Sequence, residues 1–467
     1  MTAELYVILF AFFVQFTDKA GSEHVCLSEL AKEKRVERGI AIDSLDYAVS
    51  PIYMDSLDAL SVRVYHTSRW MNGATIEADS STIQTIAKWA FVDSVYLTRT
   101  TSAKEISKIA SIDQYCQQQE DTWLSAQQTE QLNLHLLHEA GFHGQGITMA
   151  IIDGGFQNAD SLAAFAPIRE QILGVYDMTD DVDDIYGETG GHGTKCFSTI
   201  AAITTDYFGT ATAANYYLIR SEEHLTESPK EMDNWVAAIE LADSLGVDIA
   251  STSLGYAMFD AEEFTLSYAD MDGQSTRCSQ AAQIASRKGM LLVVAAGNEG
   301  NKDWHYISAP ADADSILTVG AVDIHDSIAA FSSWGPTADG RIKPEVCAVG
   351  YQTATINPID NRVVWGNGTS FACPIIAGMA ACLWSALPHA NNMEIRERII
   401  QSANRYSLPH DQYGYGIPNA WQAYQAALAN IENIHQPNGN QANKQIINGE
   451  LRIIYQGKAY NIMGICL

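Results

Sequence analysis

The chain has 467 residues, of which 47% are hydrophobic and 18% are charged, so it can bury a large core and is not disordered as a whole. Its formal net charge at pH 7 is −28. Because nucleic-acid binding depends on lysine and arginine neutralising phosphates, we do not expect a nucleic-acid partner. The eight cysteines form no CxxC pair and are too sparse for a disulfide scaffold. We therefore expect them, including Cys196 and Cys373, to be packing residues.

An apolar run from Leu5 to Phe16 opens the chain and is too short to cross a bilayer as a helix. We predict a signal peptide over residues 1–21, with its cleavage region in the polar stretch from Thr17 to Ser22. No lysine or arginine precedes the run, which is atypical of such a peptide. The alternative is a buried core segment.

Residues 22–113 predict a small α+β domain. Around Asn72-Gly73 the sequence alternates like two strands joined by a turn, and a helical pattern leading into a strand follows. The Gln-rich residues 114–131 then predict an exposed linker, suited to proteolytic release of what precedes it.

From Gly146 onward, short apolar runs alternate with longer helical segments, as in an α/β fold with a parallel sheet. Residues 147–153, 247–253 and 290–298 predict strands buried on both faces, and residues 229–245 predict a helix. Polar side chains stand where these strands end, the edge at which sites gather in open α/β sheets. We predict that this domain covers residues 132–430, before a linker (431–443) and a short hairpin (444–467).

Three polar residues are candidates for chemistry. Asp153 ends a buried strand, His192 lies between two glycines at a helix start, and Ser370 enters a long apolar helix after a Gly-Thr turn. Backbone N–H groups at a helix start favour a developing negative charge. Taken singly, Asp153 also fits an ordinary turn and Ser370 an ordinary helix cap.

The decisive pattern is four motifs in order: AIIDGGF, GGHGTKCFSTIAA, VVAAGNEG and GNGTSFACPIIAG. Together they resemble the subtilisin-like serine peptidases, the subtilases, over about Leu132 to Leu428. The resemblance implies an α/β fold: a three-layer subtilisin-like domain with a central, mostly parallel sheet, preceded by a small α+β propeptide domain. Such a propeptide inhibits the enzyme, assists its folding and is removed.

The resemblance also implies roles for residues. Ser370 would attack the scissile carbonyl, His192 would take and return the proton, and Asp153 would orient the imidazole. Asn298 would donate to the oxyanion. The residues expected to contact substrate are Ser253, Leu254, Gly255, Ala295, Ala296 and Gly297. Their small size at 295–297 suggests a pocket with room for a sizeable side chain.

No cofactor or metal is required by this chemistry. The segment from Asp177 to Glu188 has carboxylates enough for calcium but lacks the ligand spacing of a calcium loop, so we favour a solvated acidic loop. We predict that His135 and His138 are structural, because no further ligands cluster near them in the sequence.

The closing residues resemble the sorting tails of type IX secretion, with a plain surface hairpin as the alternative. We therefore expect a secreted or cell-surface protein. Its expected partners are peptide substrates, its own propeptide and secretion machinery.

Two other functions compete. A subtilase fold can be retained as a binding module without turnover, because function lives in sites and not in folds. A serine esterase is a second possibility, although such enzymes usually show GxSxG in the order Ser, Asp, His, whereas here the serine comes last.

Overall fold

A computed structural model describes residues 9–100, 124–180 and 184–433, and three strands between residues 443 and 460. Side chains are described as far as residue 429.

The described elements of the N-terminal domain are β1 (Phe10–Phe16), α1 (Glu29–Glu37), α2 (Pro51–Asp58), β2 (Arg63–Ser68), β3 (Gly73–Ala78), α3 (Ser80–Ile86) and β4 (Val92–Arg99). The four strands form an antiparallel sheet in the order β2-β3-β1-β4. The predicted hairpin around Asn72-Gly73 and the helix-to-strand pattern after it are confirmed.

The structure corrects the prediction that the apolar run at the start of the chain is a signal peptide. Residues Phe10–Phe16 are a central strand of the sheet, paired with β3 on one side and β4 on the other. Phe13, Val14 and Phe16 are buried, as expected of phenylalanine and valine in a strand. The signal-peptide interpretation is therefore wrong for residues 10–16, and the α+β domain begins before residue 22. The alternative, a buried core segment, is what the structure contains.

The larger, α/β domain follows. Its elements are α4 (Ala126–Glu130), α5 (His135–Glu139), β5 (Thr148–Asp153), β6 (Ile172–Asp177), α6 (Gly191–Ala201), β7 (Asn215–Arg220), α7 (Pro229–Leu245), β8 (Ile249–Thr252), α8 (Arg277–Arg287), β9 (Leu291–Ala295), β10 (Leu317–Val322), β11 (Val346–Val349), β12 (Thr353–Ile356), β13 (Val363–Gly366), α9 (Thr369–Ala386), α10 (Asn392–Gln401) and α11 (Ala420–Asn433).

Seven of these strands form a parallel sheet in the order β11-β10-β9-β8-β5-β7-β6. All six residues of β5 are buried, because helices cover both faces of the sheet. Met149 and Ile151 pack in a core with α6 and α9, whereas Ala150 and Ile152 pack in a second core with α7 and α8. The predicted three-layer α/β fold is confirmed.

Helix α7 begins and ends at the predicted residues because neighbouring residues in the sequence cap both of its ends. Pro229 occupies its first turn, and the Glu231 carboxylate accepts a hydrogen bond from the Ser228 N–H. Gly246 ends the helix with a φ of +80°, a conformation that glycine adopts without strain.

The linker prediction is wrong for residues 124–131. They contain α4, and Gln128 is only 3% exposed. Its side-chain amide exchanges two hydrogen bonds with the backbone of Ala354 in β12, so this glutamine is part of the α/β domain. Residues 114–123 lie outside the described residues.

The end of the chain forms a three-stranded antiparallel sheet of β14 (Asn443–Ile447), β15 (Glu450–Tyr455) and β16 (Lys458–Tyr460). The predicted hairpin is thus present with a third strand added. The predicted linker at 431–443 overlaps the end of α11 and the first residue of β14, and residues 434–442 lie outside the described residues.

The N-terminal domain packs on α7 and α8 through a buried network of charges. Each of its six members is at most 6% exposed. The N-terminal domain supplies two cations and an anion, and the α/β domain supplies two anions and a cation; the members are Arg35, Asp46, Arg69, Glu240, Asp243 and Lys288. Since each side carries the complement of the other, the two domains are matched in charge.

Candidate active site

Asp153 and His192 are brought together where β5 ends and α6 begins. His192 lies in the first turn of α6, and its Nδ1 is 2.7 Å from Asp153 Oδ1. The contact depends on Gly193, because a Cβ there would lie 2.1 Å from the Gly155 carbonyl O and 2.9 Å from Asp153 Cβ. Glycine after the histidine therefore lets the helix approach the strand end closely.

The pair is buried at one end and open at the other. Asp153 is 1% exposed; its Oδ1 also accepts from the Gly154 N–H at 2.8 Å. The His192 side chain is 37% exposed, so its ring reaches the surface. Burial on its own lowers the pKa of His192, but the attraction of the Asp153 carboxylate outweighs it and raises the pKa well above 6.5.

Ser370 is the second residue of α9 and lies beside this pair. Its Oγ is 3.4 Å from the Ser253 carbonyl O, and Ser253 Oγ donates to the Ser370 carbonyl O at 2.8 Å. The Cys196 thiol lies 3.3 Å from the same Ser370 carbonyl O and 3.8 Å from His192 Nδ1. Within the described part of the chain no hydrogen bond joins Ser370 Oγ to His192, a bond that often tightens only when substrate binds.

Asn298 follows β9 and is held against the start of the same helix. Its Oδ1 accepts from the Thr369 backbone N–H at 2.9 Å and from Thr369 Oγ1 at 3.1 Å. Its Nδ2 is 3.6 Å from the position that a Cβ would take at Gly368. With its oxygen occupied, the side chain is left with two N–H donors at the edge of the site.

The six residues predicted to contact substrate lie on two neighbouring strand ends. Ser253, Leu254 and Gly255 follow β8, while Ala295 ends β9 and is followed by Ala296 and Gly297. Between the two segments lies Ser308, which sequence reasoning missed. It belongs to none of the four motifs and is brought here by a loop after β9, so no local pattern marks it.

The remaining candidates have structural surroundings. Asp177 pairs with Arg220, and Asp180 pairs with Arg63 at 2.8 Å, so two carboxylates of the acidic segment are engaged in ion pairs. His138 Nε2 lies 2.9 Å from the Thr210 carbonyl O, and burial lowers the pKa of His138 to about 4.

Cys196 and Cys373 are both buried and unpaired with other cysteines. Burial raises the pKa of each thiol, which favours the protonated form. Both therefore fit the predicted packing role.

A carboxylate-bound imidazole next to a serine at a helix start can remove the serine proton and make the oxygen a nucleophile. The N–H donors of Asn298 and of the helix start can bind a negative oxygen formed by that attack. The arrangement is suited to acyl transfer.

Comparison with known proteins gives two family matches. Residues 144–416, more than half of the chain, match the subtilase family, and residues 11–113 match the Peptidase S8 propeptide domain of Bacteroidota. The propeptide match begins inside β1, in agreement with the place of that strand in the N-terminal domain.

Among curated proteins, the chain is similar to enzymes with protease names. A thermostable alkaline protease of Halalkalibacterium halodurans is 30% identical over 296 residues, which cover 63% of this chain and 72% of the relative. Subtilisin DY of Bacillus licheniformis is 30% identical over 61% of this chain and 93% of the relative. Subtilisin E of Bacillus subtilis is 28% identical over 63% of this chain and 70% of the relative.

The parallel sheet, the grouping of aspartate, histidine and serine at its edge, and both family matches lead to one conclusion. The chain belongs to the subtilase family of serine endopeptidases and carries its own propeptide domain.

Proposed function

We propose that the protein hydrolyses peptide bonds within proteins through an acyl-enzyme formed on Ser370. In this mechanism the His192 imidazole takes the proton from Ser370 Oγ, the oxygen attacks the scissile carbonyl, and His192 returns the proton to the leaving amine. Water then hydrolyses the acyl-enzyme by the same route. The observation that carries the proposal is the 2.7 Å contact between His192 and the buried Asp153 beside Ser370.

The pH dependence of the reaction should report His192. Only the neutral imidazole can accept the proton, so kcat/KM falls as the pH drops through the pKa of His192. Because Asp153 raises that pKa, we expect the acid limb of the profile to lie above pH 6.5. Asp153→Asn removes the attraction and leaves the burial, so the limb should move to lower pH while the rate falls by about 10⁴-fold. An acid limb that does not move in this variant would contradict the role of Asp153.

Asn298 is proposed to bind the oxyanion together with the Ser370 backbone N–H. We expect Asn298→Ala to lower kcat by about 10² to 10³-fold with a small change in KM, because the donors bind charge that exists only in the transition state. That magnitude is the one known for the corresponding asparagine of subtilisin, a relative of this chain. A comparably large rise in KM with kcat unchanged would show instead that Asn298 binds the substrate in its ground state.

Substrate is proposed to lie along the Ser253–Gly255 segment, with the side chain before the scissile bond between Gly255 and Gly297. The end of β4 in the propeptide domain contacts the α/β domain just after β7, where Arg99 pairs with Glu223 at 3.3 Å. We propose that the protein is made as a zymogen and cleaves itself after this strand. Since these steps use only side-chain and backbone groups of the chain and water, the proposal requires no cofactor.

Release of peptides from unfolded casein tests the function, with a small ester assayed side by side. We expect N-terminal sequencing of the purified protein to show a new N-terminus after the N-terminal domain, and we expect the protein to cleave casein at internal bonds. Cleavage of the ester alone would favour the esterase. A folded, processed protein that cleaves neither would favour the binding module.

We also propose export to the cell surface or medium, on the resemblance of residues 444–467 to sorting tails. Deletion of residues 444–467 should then retain the protein inside the cell, as measured by fractionation. Unchanged distribution after the deletion would contradict this proposal.

A further inference from the structure

The backbone carbonyl of Ser370 lacks the donor that an α-helix normally supplies. In an α-helix each carbonyl accepts from the N–H four residues further on, and for Ser370 that residue is Pro374, inside α9. Proline has no N–H, and its ring crowds the carbonyl four residues before it. Because Ser370 is only 7% exposed, this oxygen needs a donor from outside its own helix.

Two buried side chains from other elements supply donors. Ser253 follows β8, and its Oγ donates to the Ser370 carbonyl O at 2.8 Å. Cys196 lies on α6, and its thiol is 3.3 Å from the same oxygen. Burial raises the pKa of that thiol, so it keeps the proton that it donates. A thiol is a weaker donor than a hydroxyl, so Ser253 holds the carbonyl more strongly than Cys196 does.

The same two residues contact the reacting groups. The Ser253 backbone carbonyl O is 3.4 Å from Ser370 Oγ, so the two serines exchange hydrogen bonds. Cys196 Sγ is 3.8 Å from His192 Nδ1 and 3.9 Å from His192 Nε2, so the sulfur packs against the imidazole. Since the carbonyl and Oγ of Ser370 belong to one residue, a donor that fixes the carbonyl also fixes where Oγ lies relative to His192.

We propose that Ser253 and Cys196 are positioning residues, whose donors replace the one that Pro374 removes and hold Ser370 in the orientation from which it attacks. The role belongs to the Ser253 side chain and is separate from the proposed contact of the Ser253–Gly255 segment with substrate. It affects the chemical step rather than binding, because only the transition state requires accurate placement of Oγ. The inference rests on the proposed function and adds two residues to the same site.

Alanine variants separate this role from substrate binding in steady-state hydrolysis of a peptide. We expect Ser253→Ala to lower kcat about 10-fold while KM changes by less than about twofold. We expect Cys196→Ala to lower kcat about threefold, because its bond is the weaker one. Ser286→Ala is the matched control, since Ser286 is also buried and its Oγ also donates to a carbonyl at 2.8 Å, that of Ser315. Its kcat and KM should stay within about twofold of the wild type.

Pro374→Ala gives the sharper test, since it restores the N–H inside the helix. In that background Ser253→Ala should lower kcat by less than about threefold, because the Ser370 carbonyl keeps a donor. A serine that only packs would cost the same with proline or alanine at position 374. Each kcat is expressed per active site, counted by labelling with a fluorophosphonate to completion, so incompletely folded protein does not affect it.

Unchanged kcat in either alanine variant would overturn the positioning role of that residue. An equal loss of kcat from Ser253→Ala in both backgrounds would overturn the inference that its hydroxyl replaces the donor missing at Pro374. If Pro374→Ala does not fold, the kcat and KM of the two alanine variants decide alone. A processed wild type that cleaves no peptide would overturn the proposed function, and the inference with it.

Discussion

Ser370→Ala should lower kcat by about 10⁶-fold and leave the propeptide domain attached to the chain. That magnitude is the one known for the corresponding change in subtilisin. The serine oxygen forms the covalent intermediate, so no neighbouring group can replace it. Folding should be unaffected, because among the described residues the Oγ makes a single 3.4 Å hydrogen bond, and alanine suits the helix. Steady-state hydrolysis of a peptide and the mass of the purified chain measure both effects.

Ser161→Ala is the matched control, since Ser161 is exposed and belongs to none of the four motifs. It should cleave peptide and process itself like the wild type. A Ser370→Ala protein that keeps a tenth of the activity would show that another nucleophile does the chemistry.

Asp243→Asn should weaken the attachment of the cleaved propeptide domain by about 10² to 4 × 10³-fold. Asp243 receives hydrogen bonds from Arg35 at 2.7 and 2.8 Å and from Arg69 at 2.7 Å, and all three residues are buried. Removing the charge leaves two buried arginines short of a partner, a change that costs about 3–5 kcal/mol when no water can reach them.

Gel filtration of the processed protein over a dilution series measures this attachment. The midpoint concentration at which the propeptide domain dissociates should be at least about 10²-fold higher in the variant than in the wild type. Glu263→Gln removes an exposed carboxylate of the same domain and should behave as the wild type. Equal midpoints for the two variants would show that the buried network does not hold the domains together.

Much of the α/β domain could be predicted because the local sequence of its strands and helices agrees with their place in the fold. The strands β5, β8 and β9 are apolar on both faces, and α7 carries a proline start and a glycine end. The sequence predicts Asp153, His192, Asn298 and Ser370 as site residues because each lies in a motif next to a strand end or helix start.

The failures have physical causes. A signal peptide and a central strand can have the same apolar composition, rich in phenylalanine and valine. For Phe10–Phe16, only the pairing with β3 and β4 shows that the segment is a strand. Gln128 has the composition of a linker, but its amide is satisfied by the Ala354 backbone. Ser308 reaches the segments that follow β8 and β9 through a long-range contact that no sequence motif reports.

The most direct test of the account is to label the folded, processed protein with a fluorophosphonate and to map the modified residue by peptide mass spectrometry. Such a reagent captures a serine only when a neighbouring base activates it. The account predicts a single label on Ser370, reduced when His192 is replaced by alanine. A label on another serine, or none on the folded protein, would contradict it.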